Sequence, residues 1–114
     1  MSEKKFGEIS LKGLLEAHGD HLTDARSVTR SRSRMGGIRL ASCFGAEREA
    51  DSITDEDALL YRDWLEAQRG LRLSTVECLC RQARRIFRFG VRKELVRRNP
   101  FATKPHAPGR EVGK

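Results

Sequence analysis

The chain has 114 residues, 38% of them hydrophobic, which suits a single domain with a modest core and excludes a large multi-domain enzyme. Lysine and arginine number 23 against 16 acidic residues, a formal net charge of +7. No run approaches the roughly 20 apolar residues of a membrane-spanning helix, and the three cysteines lack paired spacing, so we expect a cytoplasmic protein without disulfides or a membrane partner.

The charge is unevenly distributed along the chain. Residues 1–44 carry a net +3, residues 45–66 a net −6, and residues 67–114 a net +10. A domain with one acidic and two basic segments can present a basic face, which is typical of proteins that bind a polyanion. Nucleic acid is therefore the first partner to consider.

The first half of the chain predicts two helices. Leu11, Leu14, Leu15 and His18 indicate a short helix from Ser10 that ends at Gly19 and Asp20. A longer helix begins near Thr23 or Asp24 and runs towards Phe44, with Gly36 and Gly37 predicting a bend or break. The residues expected to form its buried stripe are Val28, Met35, Ile38, Leu40, Cys43 and Phe44.

Two further helices are predicted in the second half. One runs from Asp55 to about Arg69, with Thr54 as N-cap and Gly70 ending it. Its expected inward face is Ala58, Leu60, Tyr61, Trp64 and Leu65, and Arg62 is expected to face water.

The last predicted helix has the clearest apolar periodicity and runs from Thr75 to about Lys93. Ser74 and Glu77 have the spacing of a capping box at its start. Its expected buried stripe is Val76, Leu79, Cys80, Ala83, Ile86, Phe87 and Gly90. Beyond it, Leu95 and Val96 form a short final turn. The expected division is a helical domain over residues 1–98 and a flexible tail or linker over residues 99–114.

Two rows of arginines are the candidate binding residues. Arg81, Arg85, Arg88 and Arg92 recur at steps of four, three and four on the polar face of the last helix, with Arg84 and Lys93 beside them. Arg26, Arg30 and Arg34 recur at steps of four on the second helix, flanked by Arg32 and Arg39. Guanidinium groups this close repel one another, so an anionic partner explains the rows better than helix stability does.

The order and spacing of several short motifs resemble the N-terminal core-binding domain of tyrosine recombinases, the phage-integrase family. The similarity covers roughly residues 10–101 and is strongest from Ile53 onward. Before Phe44 it is loose, since Ser31 or Arg32 takes the place of the aromatic residue usual in the first long helix. The motifs are Ser52-Ile53-Thr54-Asp55-Glu56-Asp57, Tyr61, Trp64-Leu65, Gly70-Leu71-Arg72-Leu73-Ser74-Thr75-Val76, Ala83-Arg84-Arg85-Ile86-Phe87, Val91-Arg92-Lys93 and Asn99-Pro100-Phe101.

The resemblance implies an all-α, SAM-like bundle of four to five helices that clamps one side of a DNA duplex opposite a separate catalytic domain. Two helices of such a bundle cross the major groove, and by position these are the helices that carry Arg26 to Arg34 and Arg81 to Arg92. The catalytic domain of the family lies C-terminal to this bundle, so this polypeptide is not expected to cut DNA.

Other chemistry finds little support in the residues. Tyr61 lies on a predicted inward helix face, which favours a core role over a nucleophile. His18 and His21 could face the same way, but no further ligand is spaced to complete a zinc site. Cys78 and Cys80 do not form a CxxC motif, and Gly36-Gly37 lacks the lysine of a phosphate-binding loop. We therefore expect no catalytic residue, no metal and no cofactor.

The predicted function is the non-catalytic DNA-binding domain of a site-specific recombinase or integrase, monomeric in isolation and partnered by double-stranded DNA and the catalytic domain of its parent protein. Two alternatives remain open. A free-standing regulator would bind a short palindrome as a dimer, which gel filtration would detect. A basic protein-interaction domain would show no preference for duplex DNA over heparin.

Overall fold

A computed structural model describes residues 9–102 of the chain. Over these residues it shows the expected all-α bundle, with four helices: α1 (Leu11–His21), α2 (Ser27–Phe44), α3 (Asp55–Glu66) and α4 (Leu73–Arg92). A single turn of 3₁₀ helix, Ala50–Ser52, lies between α2 and α3. Extended pairing in the described part of the chain is limited to one antiparallel bridge between Ser10 and Glu49.

Helix α1 begins where the sequence predicts. The Ser10 hydroxyl accepts a hydrogen bond from the Gly13 backbone N–H at 3.0 Å and so caps the helix. Gly19 does not end α1, which continues to His21. Leu11 and Leu14 are fully buried, and His18 packs beside them.

The buried face of α2 differs from the predicted stripe. The helix begins at Ser27, later than Thr23 or Asp24, and its buried residues are Ser33, Gly36, Gly37 and Leu40. Cys43 and Phe44 are half-buried, whereas Val28, Met35 and Ile38 are exposed. The apolar pattern was misleading because small residues, rather than large apolar ones, make most of the contact that α2 forms with its neighbours.

Gly36 and Gly37 pack tightly within an unbroken helix, so the predicted break is wrong. A Cβ atom on Gly36 would lie 2.7 Å from the Gln82 Cβ on α4, and one on Gly37 would lie 3.2 Å from a Leu15 methyl group on α1. The missing side chains let the backbone of α2 approach both neighbours closely. The free energy that glycine costs in a helix is thus offset by packing.

Helix α3 confirms the predicted start. Thr54 and Asp57 form a reciprocal capping box, with hydrogen bonds of 3.0 and 3.1 Å, and the bond from the Thr54 backbone lowers the pKa of Asp57. The helix ends at Glu66, and Gly70 turns the connection with a φ of +85°. Leu60 is exposed rather than inward, because the buried face is limited to Ala58, Tyr61 and Leu65 with Trp64 at its edge.

Helix α4 buries the predicted stripe and two residues more. Val76, Leu79, Ala83, Ile86, Phe87 and Gly90 are buried, Cys80 is half-buried, and Gln82 and Phe89 join them on the side of α2 and α1. The capping box at Ser74 and Glu77 is wrong, since the helix already begins at Leu73 and its N-cap residue, Arg72, makes no side-chain cap bond. Glu77 instead lies 3.8 Å from Arg62.

Arg62 itself is not a solvent-facing residue. Its side chain is only 15% exposed and lies between Glu66, at 3.1 Å, and Glu77. The Arg62 guanidinium is paired with Glu66 of α3 and Glu77 of α4, while the aliphatic part of the Arg62 side chain is covered by the bundle.

The chain after α4 folds back onto the bundle. The backbone N–H of Leu95 donates to the Gly90 carbonyl at 2.8 Å, and Val96 is buried against Gly90. Asn99 donates to the Arg84 carbonyl at 3.0 Å, and the Phe101 ring packs against Tyr61 and Phe87. Residues through Phe101 therefore belong to the packed body. The predicted tail falls mainly on residues 103–114, which lie outside the described residues, so the domain division stays a prediction.

Candidate nucleic-acid interface

The α4 arginine row lies on the face opposite the core. Arg81, Arg85, Arg88 and Arg92 are all exposed, and the buried residues of α4 occupy the other side of the same helix. The spacing of four, three and four keeps the four side chains on one side along about three turns of helix. The row therefore forms a continuous basic strip of α4.

No carboxylate among the described residues forms an ion pair with this strip. The ion pairs of the bundle involve other arginines: Arg48 with Asp57, Arg62 with Glu66 and Glu77, Arg97 with Asp51, and Arg98 with Asp55. Four of the eight carboxylates of residues 45–66 are thus paired with arginines outside the α4 row. The exposed guanidinium groups of α4 keep their hydrogen-bond donors available for an anion.

Arg84 and Lys93 border the strip in different ways. Arg84 is half-buried, and its backbone carbonyl accepts the bond from Asn99. Lys93 is exposed at the C-cap of α4, where a cation also suits the negative end of the helix dipole.

The predicted α2 row lies on a different side of the bundle. Arg26, Arg30 and Arg34 are exposed, and Arg26 is the N-cap of α2. One Arg30 nitrogen donates to the carbonyls of Thr23 and Ala25 at 3.0 and 3.2 Å, which ties it to the connection from α1. Arg30 and Arg34 line a cavity of about 490 Å³ between α1 and α2, together with Lys12 and Glu16.

The contacts of Gly36 and Gly37 show which edge of α2 packs against α4 and which packs against α1. Arg30 and Arg34 lie seven and three positions before Gly37, and so share the edge that meets Leu15 of α1. Arg32 and Arg39 lie four before and three after Gly36, and so share the edge that meets Gln82 of α4. Arg85 lies three residues after Gln82 on the matching edge of α4. The arginines next to the α4 strip are therefore Arg32 and Arg39.

The direction of the two helices supports this pairing. Ser33 hydrogen-bonds His18, which contacts Phe89, whereas Gly36, later in α2, meets Gln82, which is earlier in α4. Helices α2 and α4 thus run antiparallel, and Arg32 lies near the level of Arg85. The sequence alone placed Arg32 and Arg39 only beside the α2 row. Gly36 lies four residues after Arg32 and three before Arg39, and this spacing could have predicted that both arginines share the helix edge of Gly36.

Tyr61 is a packing residue in this bundle. Its ring is fully buried beside Trp64 and Phe101, and its hydroxyl has no hydrogen-bond partner among the described residues. Burial raises the pKa of Tyr61 well above its ordinary value, with smaller contributions from Cys80 and Cys43. A phenol held neutral and out of reach of solvent cannot attack a phosphodiester.

The histidines and cysteines form no metal centre in the described part of the chain. The His18 ring is buried, bonds the Ser33 hydroxyl at 3.0 Å and packs against Phe89. Burial, with a smaller effect of nearby His21, lowers the pKa of His18. Cys43, Cys78 and Cys80 are free thiols, and burial raises the pKa of Cys80, which makes it less reactive. None of the helices in residues 9–102 has the length and apolar character to cross a membrane.

The bundle is similar to two solved structures of the integrase of transposon Tn1549 in complex with circular-intermediate DNA, which differ in their DNA. Each superposes with a TM-score of 0.71 at 17% sequence identity, over 86% of this chain and 31% of the integrase chain. This chain therefore spans about a third of the length of those integrase chains. No protein-family model and no curated protein matches the sequence. The likeness is one of fold, and it agrees with the fold expected of a core-binding domain.

Proposed function

We propose that this chain is the DNA-binding, core-binding domain of a site-specific tyrosine recombinase or integrase and that it grips duplex DNA through α2 and α4. Its work is non-covalent: it binds and orients the duplex, while a separate catalytic domain of the parent protein carries out strand cleavage. The fold shared with the Tn1549 integrase supports the assignment.

The observation that carries the proposal is the pairing of two unneutralised arginine edges. Helix α4 presents Arg81, Arg85, Arg88 and Arg92 without a carboxylate partner among the described residues, and the adjoining edge of α2 presents Arg32 and Arg39. Cationic groups arranged along two packed helices attract a linear polyanion more strongly than a compact one, because each guanidinium group can meet a different phosphate.

The arginines act in two ways on DNA. Most of them donate to phosphate oxygens, which supplies affinity and fixes the position of the protein without reading sequence. An arginine that reaches a base edge can donate to O6 and N7 of guanine in the major groove, which is wide enough for one helix. Arg26, Arg30 and Arg34 lie on the α1 side of α2 and are proposed to contact phosphates beyond the groove, as are Arg84 and Lys93 at the edges of the α4 strip.

A salt titration with one paired variant tests the proposal. Binding of the full chain to labelled duplex DNA is followed by fluorescence anisotropy between 50 and 200 mM salt. The double variant Arg85→Gln with Arg88→Gln should bind roughly tenfold more weakly and lower the slope of log K against log salt by about two. Arg48→Gln with Arg98→Gln is the matched control, since it removes the same two charges from residues that pair with Asp57 and Asp55 instead, and Arg98→Gln alone is a second control.

Three results would contradict the proposal. One is an affinity for duplex DNA that the α4 variant leaves unchanged; another is an equal loss in the Arg48 and Arg98 variant. The third is displacement of DNA by heparin at equal charge concentration, which would favour a basic protein-interaction domain. NMR amide shifts offer a direct map, and shifts confined to α3 around Asp63 would place the binding face elsewhere.

A further inference from the structure

The outward face of α2 carries three large apolar side chains that are about half exposed in the described part of the chain. Val28 is 50% exposed, and Met35 and Ile38 are each 51% exposed. Their spacing of seven and three residues places them on one stripe, opposite the buried Gly36, Gly37 and Leu40. The hydroxyls of Ser31 and Ser42 lie on the same stripe.

Within α2 the residues that border this stripe are basic, although Glu16 of α1 lines the same cavity as Ile38, Arg30 and Arg34. No aspartate or glutamate occurs in α2, Ser27–Phe44. Arg32 and Arg39 border the stripe on the α4 side, and Arg30 and Arg34 border it on the α1 side. An apolar strip between two rows of positive charge is complementary to a partner with apolar groups between two rows of negative charge.

The major groove of DNA has this arrangement. Its two edges are lined by phosphates, and the C5 methyl group of thymine is the apolar group that projects into its floor. A stripe from Val28 to Ile38 spans ten residues, about 15 Å of helix, which corresponds to about four base-pair steps. An ordinary protein partner would need carboxylates on both sides of its apolar ridge.

We infer that the outward face of α2 recognises thymine-containing base pairs, with Val28, Met35 and Ile38 packing against thymine methyl groups in the major groove. The inference rests on the proposed function and adds to it a sequence preference. The serines between the apolar residues can accept from or donate to neighbouring bases without specifying one. The arginines on either side then hold the helix in register through the phosphates.

The test compares thymine with deoxyuridine, which lacks only the methyl group. Duplexes that the full chain enriches from a random pool are resynthesised with deoxyuridine in place of thymine, and affinities are measured for both. We expect enrichment of thymine over a segment of about four base pairs and an affinity about fourfold lower for each contacted methyl group removed.

Variants assign the effect to the stripe. Met35→Gln with Ile38→Gln keeps a good helix former at both exposed positions, and it should lower the preference for thymine over deoxyuridine to the roughly fourfold difference that Val28 alone gives. Leu60→Gln, at an equally exposed apolar residue on α3, is the matched control and should keep the preference of the unaltered chain.

Separate outcomes would overturn the two proposals. Tight, salt-dependent binding with no difference between thymine and deoxyuridine would refute the reading of thymine by α2 and leave DNA binding intact. A preference that is undiminished in the Met35 and Ile38 variant, or that disappears in the Leu60 variant, would also refute it. Absence of duplex binding at 50 mM salt would overturn the proposed function and the inference together.

Discussion

Helices α2 and α4 both expose arginines, on two edges of α2 and on one face of α4, yet they bury opposite kinds of residue. Helix α4 contributes long apolar side chains such as Ile86 and Phe87, whereas α2 contributes a serine, two glycines and one leucine. Apolar periodicity locates a buried face when side chains make the contact. It fails when the backbone makes the contact, because the closest approach then requires the smallest residues.

The largest expected difference between α4 and α2 is the loss of unfolding free energy when a large apolar residue of each helix is replaced by alanine. Phe87→Ala should lower the free energy of unfolding by about 3–5 kcal/mol, because the ring is fully buried against Phe101. Ile38→Ala should cost about 0.5 kcal/mol or less, since Ile38 is half exposed. Urea unfolding of both variants measures the difference, and similar losses would mean that Ile38 belongs to the core as its periodicity suggests.

A smaller effect tests whether α2 packs through its backbone. Gly36→Ala gains about 1 kcal/mol in helix propensity but places its methyl group 2.7 Å from the Gln82 Cβ, an atom too close to the α4 backbone to move aside. We expect a net loss of about 1–2 kcal/mol in unfolding free energy.

Gly19→Ala provides the control for that substitution. Gly19 is also helical, but no atom lies within 4 Å of its would-be Cβ, so this variant should be stabilised by up to about 1 kcal/mol. If Gly36→Ala were stabilised to the same extent, α2 and α4 would be farther apart than described.

The smallest effect concerns the polar contact that joins α1 to α2. The pKa of His18 is lowered in the folded chain, so the unfolded chain binds a proton on this ring at higher pH than the folded chain. The contribution to stability is fully present above the unfolded pKa of about 6.5 and is lost as pH falls through it towards the folded value. Urea midpoints at pH 7.5 and 5.5 should differ less in His18→Gln than in the unaltered chain, and an equal difference would assign the pH dependence to other groups.

The second half of the fold could be predicted well from the sequence. The Thr54 and Asp57 capping box, the Tyr61 and Leu65 face of α3 and the α4 stripe all follow from local patterns. The Ser74 and Glu77 pair has the same pattern, yet α4 starts one residue before Ser74 and Glu77 pairs with Arg62 instead. A tertiary ion pair does not by itself decide the outcome, because Asp57 keeps its capping bond to Thr54 while it also pairs with Arg48 at 2.8 Å.

The candidate site was predictable in composition and less so in geometry. The α4 row follows from spacing alone, because its opposite face is strongly apolar. Which edge of α2 adjoins that row depends on the contacts of Gly36 and Gly37, and these two positions differ by only about 100° around the helix. The position of Arg32 and Arg39 beside α4 therefore follows only from the contacts of these two glycines in the structure. The contribution of every arginine to DNA binding stays a prediction.

The position of Phe101 has a consequence for whatever follows it in the chain. Its ring is held between Tyr61 of α3 and Phe87 of α4, eight residues beyond the C-cap of the last helix. Any polypeptide that continues past Ala102 therefore begins at this packed position, and not at Lys93 beside the arginine strip. The tether to any neighbouring module is shortened accordingly, which raises the local concentration of that module near one end of the bundle and restricts the directions from which it can approach the bundle.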